Sequence, residues 1–341
     1  MKIRTCTLLC ASVFACSETE SPVLMDAGFT DSGTTERNSL FAPALVPPEL
    51  FDCRTNGIPE RPSSAAPLNC AFDPNCIERL VVGHRSAGGT APGLGLLAPE
   101  NTMSAVRAAI AMGADFVETD PRSTKDGVIV NVHDVDLEGT TTSTAMVEES
   151  LWEDIQKLEL KFPDTIKGDF SCDRVISIRE LLLASKGRIN VLLDANKLDD
   201  DDVETLVQVI RETDTFDIAV FDTSSIPKVI KARSLAPNIM VHIRPDSPEE
   251  IAMQIAEVGG VAPVILELPL NRLDESIALV EAQWPATNVM VDSLGALDFQ
   301  SAVDGQASMS TMALYEAGVD MIQTDRIDLL LEAVGRLSGK P

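Results

Sequence analysis

The chain has 341 residues, 45% of them hydrophobic, which is enough for one large core on the scale of an α/β barrel. Its 27 basic and 53 acidic residues leave a net charge of −26, which excludes a nucleic-acid groove, since phosphate backbones need lysine and arginine stripes. With Trp 2, Tyr 1 and Phe 11, it also lacks the rings for an aromatic cage around a quaternary ammonium group.

The chain opens on a basic Met1-Lys2-Ile3-Arg4, then runs small and apolar through residues 5–15 before turning polar and acidic at Ser17. That is the pattern of a secretory signal peptide over residues 1–15, and the apolar run is too short to cross a bilayer. Cys16 follows Ala15 as the cysteine of a bacterial lipoprotein cleavage box does, so Cys16 is the candidate lipidation site. Phe14 departs from the small residue usual there, and ordinary cleavage nearby is the alternative. The expectation is an exported protein, either anchored to the cell envelope by lipid or secreted, with no transmembrane helix. Residues 16–50 are rich in Ser, Thr, Glu, Asp and Pro without a period and read as a disordered tether. Residues 51–78 read as a cysteine-containing segment, and 79–341 as the folded domain.

Beyond the signal lie Cys53, Cys70, Cys76 and Cys172, an even set that in an exported chain implies two disulfides with three possible pairings. Cys76 directly precedes the first strand, at the barrel's N-terminal end, whereas Cys172 follows a loop of the opposite face. A strand of ~5 residues separates those ends by ~16 Å, against a limit of ~7 Å between bonded Cα atoms. Unless residues 136–171 fold down the side, Cys172 is therefore expected to pair with Cys53 or Cys70, drawing the N-terminal segment to the active-face rim.

From Arg79 onward, apolar strand-like runs fall at 80–82, 115–117, 128–130, 188–194, 217–221, 239–243, 261–266, 288–291 and 320–324. Amphipathic helical patterns lie between them at 102–112, 177–185, 202–212, 225–234, 247–258 and 273–283. Asn101 or Thr102 can cap the first helix, and Ser247-x-x-Glu250 resembles a capping box. Strand alternating with helix predicts parallel βα units and a single (β/α)8 TIM barrel. Nine runs compete for eight positions, and the link from Asp120 to Val128 is too short for a crossover helix. One run is therefore expected outside the barrel or irregularly paired.

The chemistry concentrates between Arg79 and Asp134. Two of the three histidines, His84 and His133, each close a β-branched run there. A third run ends in Glu118-Thr119-Asp120, whose acids point the same way because side chains alternate along a strand. Two carboxylates on one face, flanked by histidines, make an oxygen-ligand cation site beside two acid/base groups. Asp194 ends a further run and is a third candidate. His242 sits inside a strand without a motif and reads as a barrel-wall histidine.

His84-Arg85, Pro99-Glu100-Asn101-Thr102, Gly113-Ala114-Asp115, Glu118-x-Asp120, Thr124-Lys125-Asp126-Gly127 and His133-Asp134 follow the order of the glycerophosphodiester phosphodiesterase family. The stretch from Gly318 to Asp325 resembles that family's closing strand, and sphingomyelinase D-like enzymes share part of the pattern. The resemblance implies a TIM barrel that hydrolyses a small phosphodiester to glycerol phosphate and an alcohol. It implies one divalent cation, Ca²⁺ or Mg²⁺, on Glu118, Asp120 and Asp194, with His84 and His133 moving protons. Arg85 would grip the phosphate with its two-pronged donors. Lys197 would be a further phosphate contact, against the plainer reading of one charge beside an Asp-rich loop. Glu100 reads as scaffold bonded to its neighbours. Two rivals stay open: a sphingomyelinase D-like enzyme acting on phospholipids, for which Asp rather than Glu at 194 is the usual choice, and a non-catalytic solute-binding lipoprotein. The chain departs from the family at Ser86, where a Gly is usual, in the long Gly-rich stretch 86–98, at Ile327, and in Val289-Met290-Val291-Asp292, which lacks the tryptophan of many relatives.

Overall fold

Eight short runs, apolar on both faces, close into a parallel barrel: β1 (Leu80–Gly83), β2 (Phe116–Thr119), β5 (Asn190–Asp194), β6 (Ala219–Asp222), β7 (Met240–Ile243), β8 (Ile265–Glu267), β9 (Asn288–Asp292) and β10 (Met321–Thr324). Continuous rather than alternating hydrophobicity is what strands covered by helices outside and side chains inside require. The computed structural model describes residues 44–89, 96–162, 166–293 and 307–337. The signal stretch, Cys16, most of the tether and residues 90–95 of the Gly-rich stretch lie outside the described residues. Around the barrel the order is β1-β10-β9-β8-β7-β6-β5-β2, and β2 returns to β1. Leu80, Val82, Phe116, Leu192, Val220, Ile265, Met290 and Met321 fill its interior.

The helices that cover the barrel start where their sequences can cap them. The Oγ1 of Thr102, not the side chain of Asn101, accepts from the Ala105 amide at the head of α1 (Met103–Met112). Gly113 ends that helix in the left-handed region at φ 84°. Ser247 accepts from the Glu250 amide, but the reciprocal bond is missing because Glu250 Oε2 takes the Asp246 amide instead. The full capping box falls at Ser177 and Glu180.

The surplus strand resolves into a hairpin. β3 (Pro121–Ser123) pairs antiparallel with β4 (Ile129–Asn131), outside the barrel. Gly127, at φ 78°, makes the intervening turn, which has no room for a helix. Val130 and Val132 pack into a separate cluster with Leu137, Val147, Ile155 and Val175. His133 therefore follows a hairpin strand and not a barrel strand, and the run it closes, 128–130, is the one that lies outside the barrel. The run at 261–266 also shortens to Ile265–Glu267, because Pro263 cannot donate to the ladder.

The N-terminal segment packs earlier than a tether to residue 50 would allow. The Leu45 amide donates to Asp328 Oδ2 at 3.0 Å, and Pro48–Leu50 forms a helical turn. Cys53 bonds Cys172, with Cα atoms 5.7 Å apart, one of the two pairings expected for Cys172. Phe51 stacks on Phe170, and Asp173 Oδ1 takes the Ser104 amide at the start of α1, so this bond sits at the active-face end. The segment then descends to close the opposite end, where Cys70 bonds Cys76. There the Leu68 and Ala71 carbonyls accept from Asn190 and Asn288 at the bases of β5 and β9, and Phe72 meets Phe116 edge-on.

Asp115 ties this end together. Its carboxylate, 2% exposed, takes Arg61 at 2.8 Å, Arg336 at 2.6 and 2.9 Å, and the Val81 amide at 2.8 Å. One acid thus joins the N-terminal segment, the C-terminal segment and the base of β1. Asp115→Ala strands two largely buried guanidinium groups and is expected to cost ~3–5 kcal/mol of stability. Urea unfolding with an unchanged m-value checks it, and a loss below ~1 kcal/mol would contradict it.

Candidate active site

The site begins with a sharp turn after β1. A Cβ on Gly83 would lie 2.0 Å from the Ser86 carbonyl oxygen, so only glycine lets the chain fold back there. Arg85 and Ser86 then take left-handed backbone at φ 45° and 73°, and Asn101 does so at 57°. Left-handed backbone is costly for a residue with a side chain and collects at functional sites. The turn is held by the site itself: the Arg85 amide donates to Glu118 Oε2 at 2.9 Å and the Ser86 amide to the Glu118 carbonyl at 2.7 Å.

Glu118 on β2, Asp120 just beyond it, and Asp194 at the end of β5 converge at the barrel's C-terminal mouth. One oxygen from each lies within 4.8 Å of the others, and all three residues are buried. A calcium ion with Ca–O contacts of ~2.4 Å holds opposed oxygens up to ~4.8 Å apart. The donor set is three carboxyl groups, all oxygen and shielded from water, so these residues fit a hard divalent cation. Asn101 Nδ2 donates to Asp120 Oδ2 at 2.8 Å and Asn131 Oδ1 accepts from the Asp120 amide at 2.8 Å, which fixes that carboxylate from behind.

Three acids this close cannot all stay charged unaided. Burial and then the Asp120 charge push the Glu118 carboxyl up to about 8. Burial also raises Asp194, with the neighbouring Asp222 adding to it. Asp120 goes the other way: against burial, Lys197 holds it below its ordinary value, with Nζ 2.5 Å from Oδ1. Lys197 Nζ is also 3.9 Å from Asp194 Oδ2, so it spans two of the acids. This is where Lys197 sits, rather than apart in the Asp-rich loop. Arg85 reaches Glu100 through Nη1 at 2.8 Å, while its buried Nε, 3.9 Å from Asp120 Oδ2, makes no hydrogen bond. That leaves a donor turned toward the acids.

The two histidines differ in setting. His84 Nδ1 lies 2.6 Å from Asp325 Oδ1, leaving Nε2 as the free ring nitrogen. Burial lowers its proton affinity, but the Asp325 bond and the Glu118 charge outweigh that and raise it. His133 is half exposed, with Nδ1 2.8 Å from Asp134 Oδ1 and its carbonyl held by Arg122 at 2.9 and 3.0 Å. Its charge is felt by both Glu100 and Asp120, which places it on the same mouth.

Sequence reasoning missed Asp325 as a partner for His84, although it stands in the closing stretch quoted for the resemblance. It also missed Arg244 and Asp222. Arg244 Nη2 is 3.6 Å from Asp194 Oδ2 and 2.5 Å from Asp222 Oδ2, and Nε is 3.3 Å from Glu267 Oε2. His242, fully buried, lies 3.0 Å from Asp222 and 3.7 Å from Glu267. It lies in the barrel wall with neither ring nitrogen in hydrogen-bond geometry, beside a set of charged groups that reaches Asp194. Burial opposes the Asp222 charge, yet His242 and Arg244 hold its carboxyl at about 2. The signal available was period two: Asp222, His242 and Arg244 end adjacent strands facing one mouth, which no local motif announces.

An eight-stranded parallel barrel with buried acids and a histidine–aspartate pair at its C-terminal mouth defines a TIM-barrel enzyme. The model of the Glycerophosphoryl diester phosphodiesterase family matches residues 84–329, and the chain belongs to that family. It is a phosphoric diester hydrolase. A glycerophosphodiester phosphodiesterase of Caldanaerobacter subterraneus is 24% identical over 264 residues, covering 76% of this chain and 98% of that protein. Glycerophosphodiester phosphodiesterase 1 of Homo sapiens is 36% identical over 83 residues, 24% of this chain and 25% of that protein. Among solved structures, a glycerophosphoryl diester phosphodiesterase of Parabacteroides distasonis superposes with a TM-score of 0.66 at 20% identity, covering 80% of this chain and 92% of that one. A phosphodiesterase of Oleispira antarctica, solved with the product sn-glycerol-3-phosphate, gives 0.60 at 17% identity over 75% and 96% of the two chains.

Two outcomes are expected from this electrostatic arrangement. With its carboxyl near 8, Glu118 carries a proton at pH 7 that a cation bound there would have to expel. Calorimetry in buffers of different ionisation enthalpy should find close to one proton released per Ca²⁺ at pH 7 and far less at pH 9. By the same sign, the cation-free fold loses stability as pH rises from the ordinary 4.5 to about 8, and Ca²⁺ removes that slope. No proton release at pH 7 would refute the assignment. Separately, Asp325→Asn replaces the carboxylate charge that raises His84 with a neutral amide, so the His84 ring should titrate at lower pH by NMR.

Proposed function

We propose that the chain hydrolyses glycerophosphodiesters to glycerol phosphate and an alcohol, using one divalent cation, Ca²⁺ or Mg²⁺, and two proton-carrying histidines. The observation that carries this is the convergence of Glu118, Asp120 and Asp194 within 4.8 Å in a buried mouth. These three would hold the cation, which when bound supplies a positive charge that offsets the phosphorane oxygens of the transition state. Arg85, with its free Nε, takes a non-bridging phosphate oxygen. Lys197, whose Nζ sits between Asp120 and Asp194, would add a second positive charge beside the phosphate.

His84 and His133 share the two proton transfers, one taking a proton from the water whose oxygen bonds to phosphorus and the other giving one to the alkoxide that leaves. Asp325 fixes the His84 ring and keeps its Nε2 facing the reaction. Glu100 holds the Arg85 guanidinium in place. The test is turnover of glycerophosphocholine with and without chelator. Activity should vanish with chelator and return with Ca²⁺ or Mg²⁺, and His84→Ala and His133→Ala should each lose ~10²–10⁴-fold. Full activity in excess chelator, or in Glu118→Ala, would defeat the reading.

A second reading is kept by one feature. A recess of about 300 Å³ opens beside Arg85 and Glu100, walled by Leu96, Leu160, Phe162 and Ile166. Its apolar wall suits the acyl chain of a phospholipid, as a sphingomyelinase D-like enzyme would need, and lysophosphatidylcholine turnover tests it. The signal-like residues 1–15 and Cys16 support export and a lipid anchor at the cell envelope. Among the described residues no helix is long and apolar enough to cross a membrane.

A further inference from the structure

We propose that Arg244 and Glu267 form a hydroxyl-reading subsite for the glyceryl arm of the substrate, an inference that rests on the phosphodiesterase reading above. Arg244 follows β7, and Glu267 closes β8, so both stand on the active face. Arg244 Nε and Nη2 are bonded to Asp222, a fully buried carboxylate, at 3.1 and 2.5 Å. A two-point bond to a buried acid fixes the guanidinium plane. Its third nitrogen, Nη1, makes no hydrogen bond among the described residues, and 26% of the side chain stays exposed. Glu267 faces it: Oε2 lies 3.3 Å from Arg244 Nε and 3.7 Å from His242 Nε2, while Oε1 accepts no hydrogen bond among the described residues.

Between them opens a recess of about 160 Å³, also walled by Pro245, Leu268 and Pro269. Arg244 Nη2 lies 3.6 Å from Asp194, so the recess adjoins the cation cluster, a few bonds from any phosphate bound there. Local charge decides what fits. One guanidinium among Asp222, Glu267 and Asp194 gives no net pull on an anion. An ammonium group would face a fixed guanidinium, and a hydrocarbon would strip water from two charged groups. A hydroxyl meets both needs, accepting from Nη1 and donating to Oε1, and vicinal hydroxyls do so at once. The recess has room for a three-carbon polyol and not for an acyl chain.

The test compares binding of sn-glycerol 3-phosphate with n-propyl phosphate, which has the same carbon skeleton without the two hydroxyls, to the full chain in CaCl₂ by calorimetry. The wild type should prefer the glycerol ester by ~10-fold or more, the worth of one or two hydrogen bonds. Glu267→Gln and Arg244→Lys, which keep the shape or the charge paired with Asp222, should each abolish most of that preference while leaving the n-propyl phosphate affinity within about twofold, as expected if only hydroxyl bonds are lost. The proposal is overturned if the wild type shows no preference, or if both variants weaken the two ligands alike, which would mean the pair only supports Asp194. A wild type that keeps the preference but turns over no glycerophosphocholine supports the subsite and defeats the phosphodiesterase reading instead.

Discussion

Three carboxylates brought within 4.8 Å of one another in a buried mouth are the constraint around which this structure is arranged. At such separations in a low-dielectric site their mutual repulsion far exceeds what water would leave of it. The chain answers it on each acid differently. Asp120 receives an ammonium group from Lys197, and Asp194 has Lys197 and Arg244 on either side. Among the described residues Glu118 has no cationic side chain bonded to it, its carboxylate taking the Arg85 amide, and of the three acids its proton affinity rises furthest. A cation bound there would replace a proton on Glu118 and compete with Lys197 for Asp120.

The same arrangement reaches outward through bonds that serve no chemistry directly. Arg244 leans on Asp222, and Asp222 on His242, so a charged chain crosses β6, β7 and β8 beneath the mouth. On the other side Asn101, Asn131 and the left-handed turn at Arg85 and Ser86 hold Asp120 and Glu118 from behind. Removing one member of such a buried set leaves its partners unpaired, which costs more than the pair contributed. Side chains that look like surface charges in the sequence are here supports for a geometry.

The opposite end of the barrel is built for stability alone. Asp115 draws together Arg61, Arg336 and the base of β1, and the Cys70–Cys76 loop lies across the interior apolar side chains. The Cys53–Cys172 bond, 119 residues apart in sequence, connects the N-terminal segment to the active-face end instead. The segment ahead of the barrel thus closes one end and borders the other, dividing its residues between stability and the rim of the site as barrel enzymes divide their faces.

Much of this was legible in the residues. Period-two alternation put Glu118 and Asp120 on one side, and a run ending in Asp194 put a third acid at a strand end. The shortness of the link from Asp120 to Val128 showed that nine runs could not all be barrel strands, and strand length set Cys172 against Cys76. These are local facts, fixed by backbone geometry over a few residues. Which run left the barrel was not local: it depended on whether Val130 and Val132 found better cover in the cluster around Leu137 and Ile155 than on the barrel wall. Nor could the sequence assign Lys197 to Asp120, Asp325 to His84 or Arg244 to Asp194, pairs 77, 241 and 50 residues apart. The chain determined which side chains would stand at the ends of strands. Only closure of the barrel decided their neighbours around the mouth, because adjacency there is set by strand order and stagger, and a side chain's charge, proton and partners follow from that adjacency.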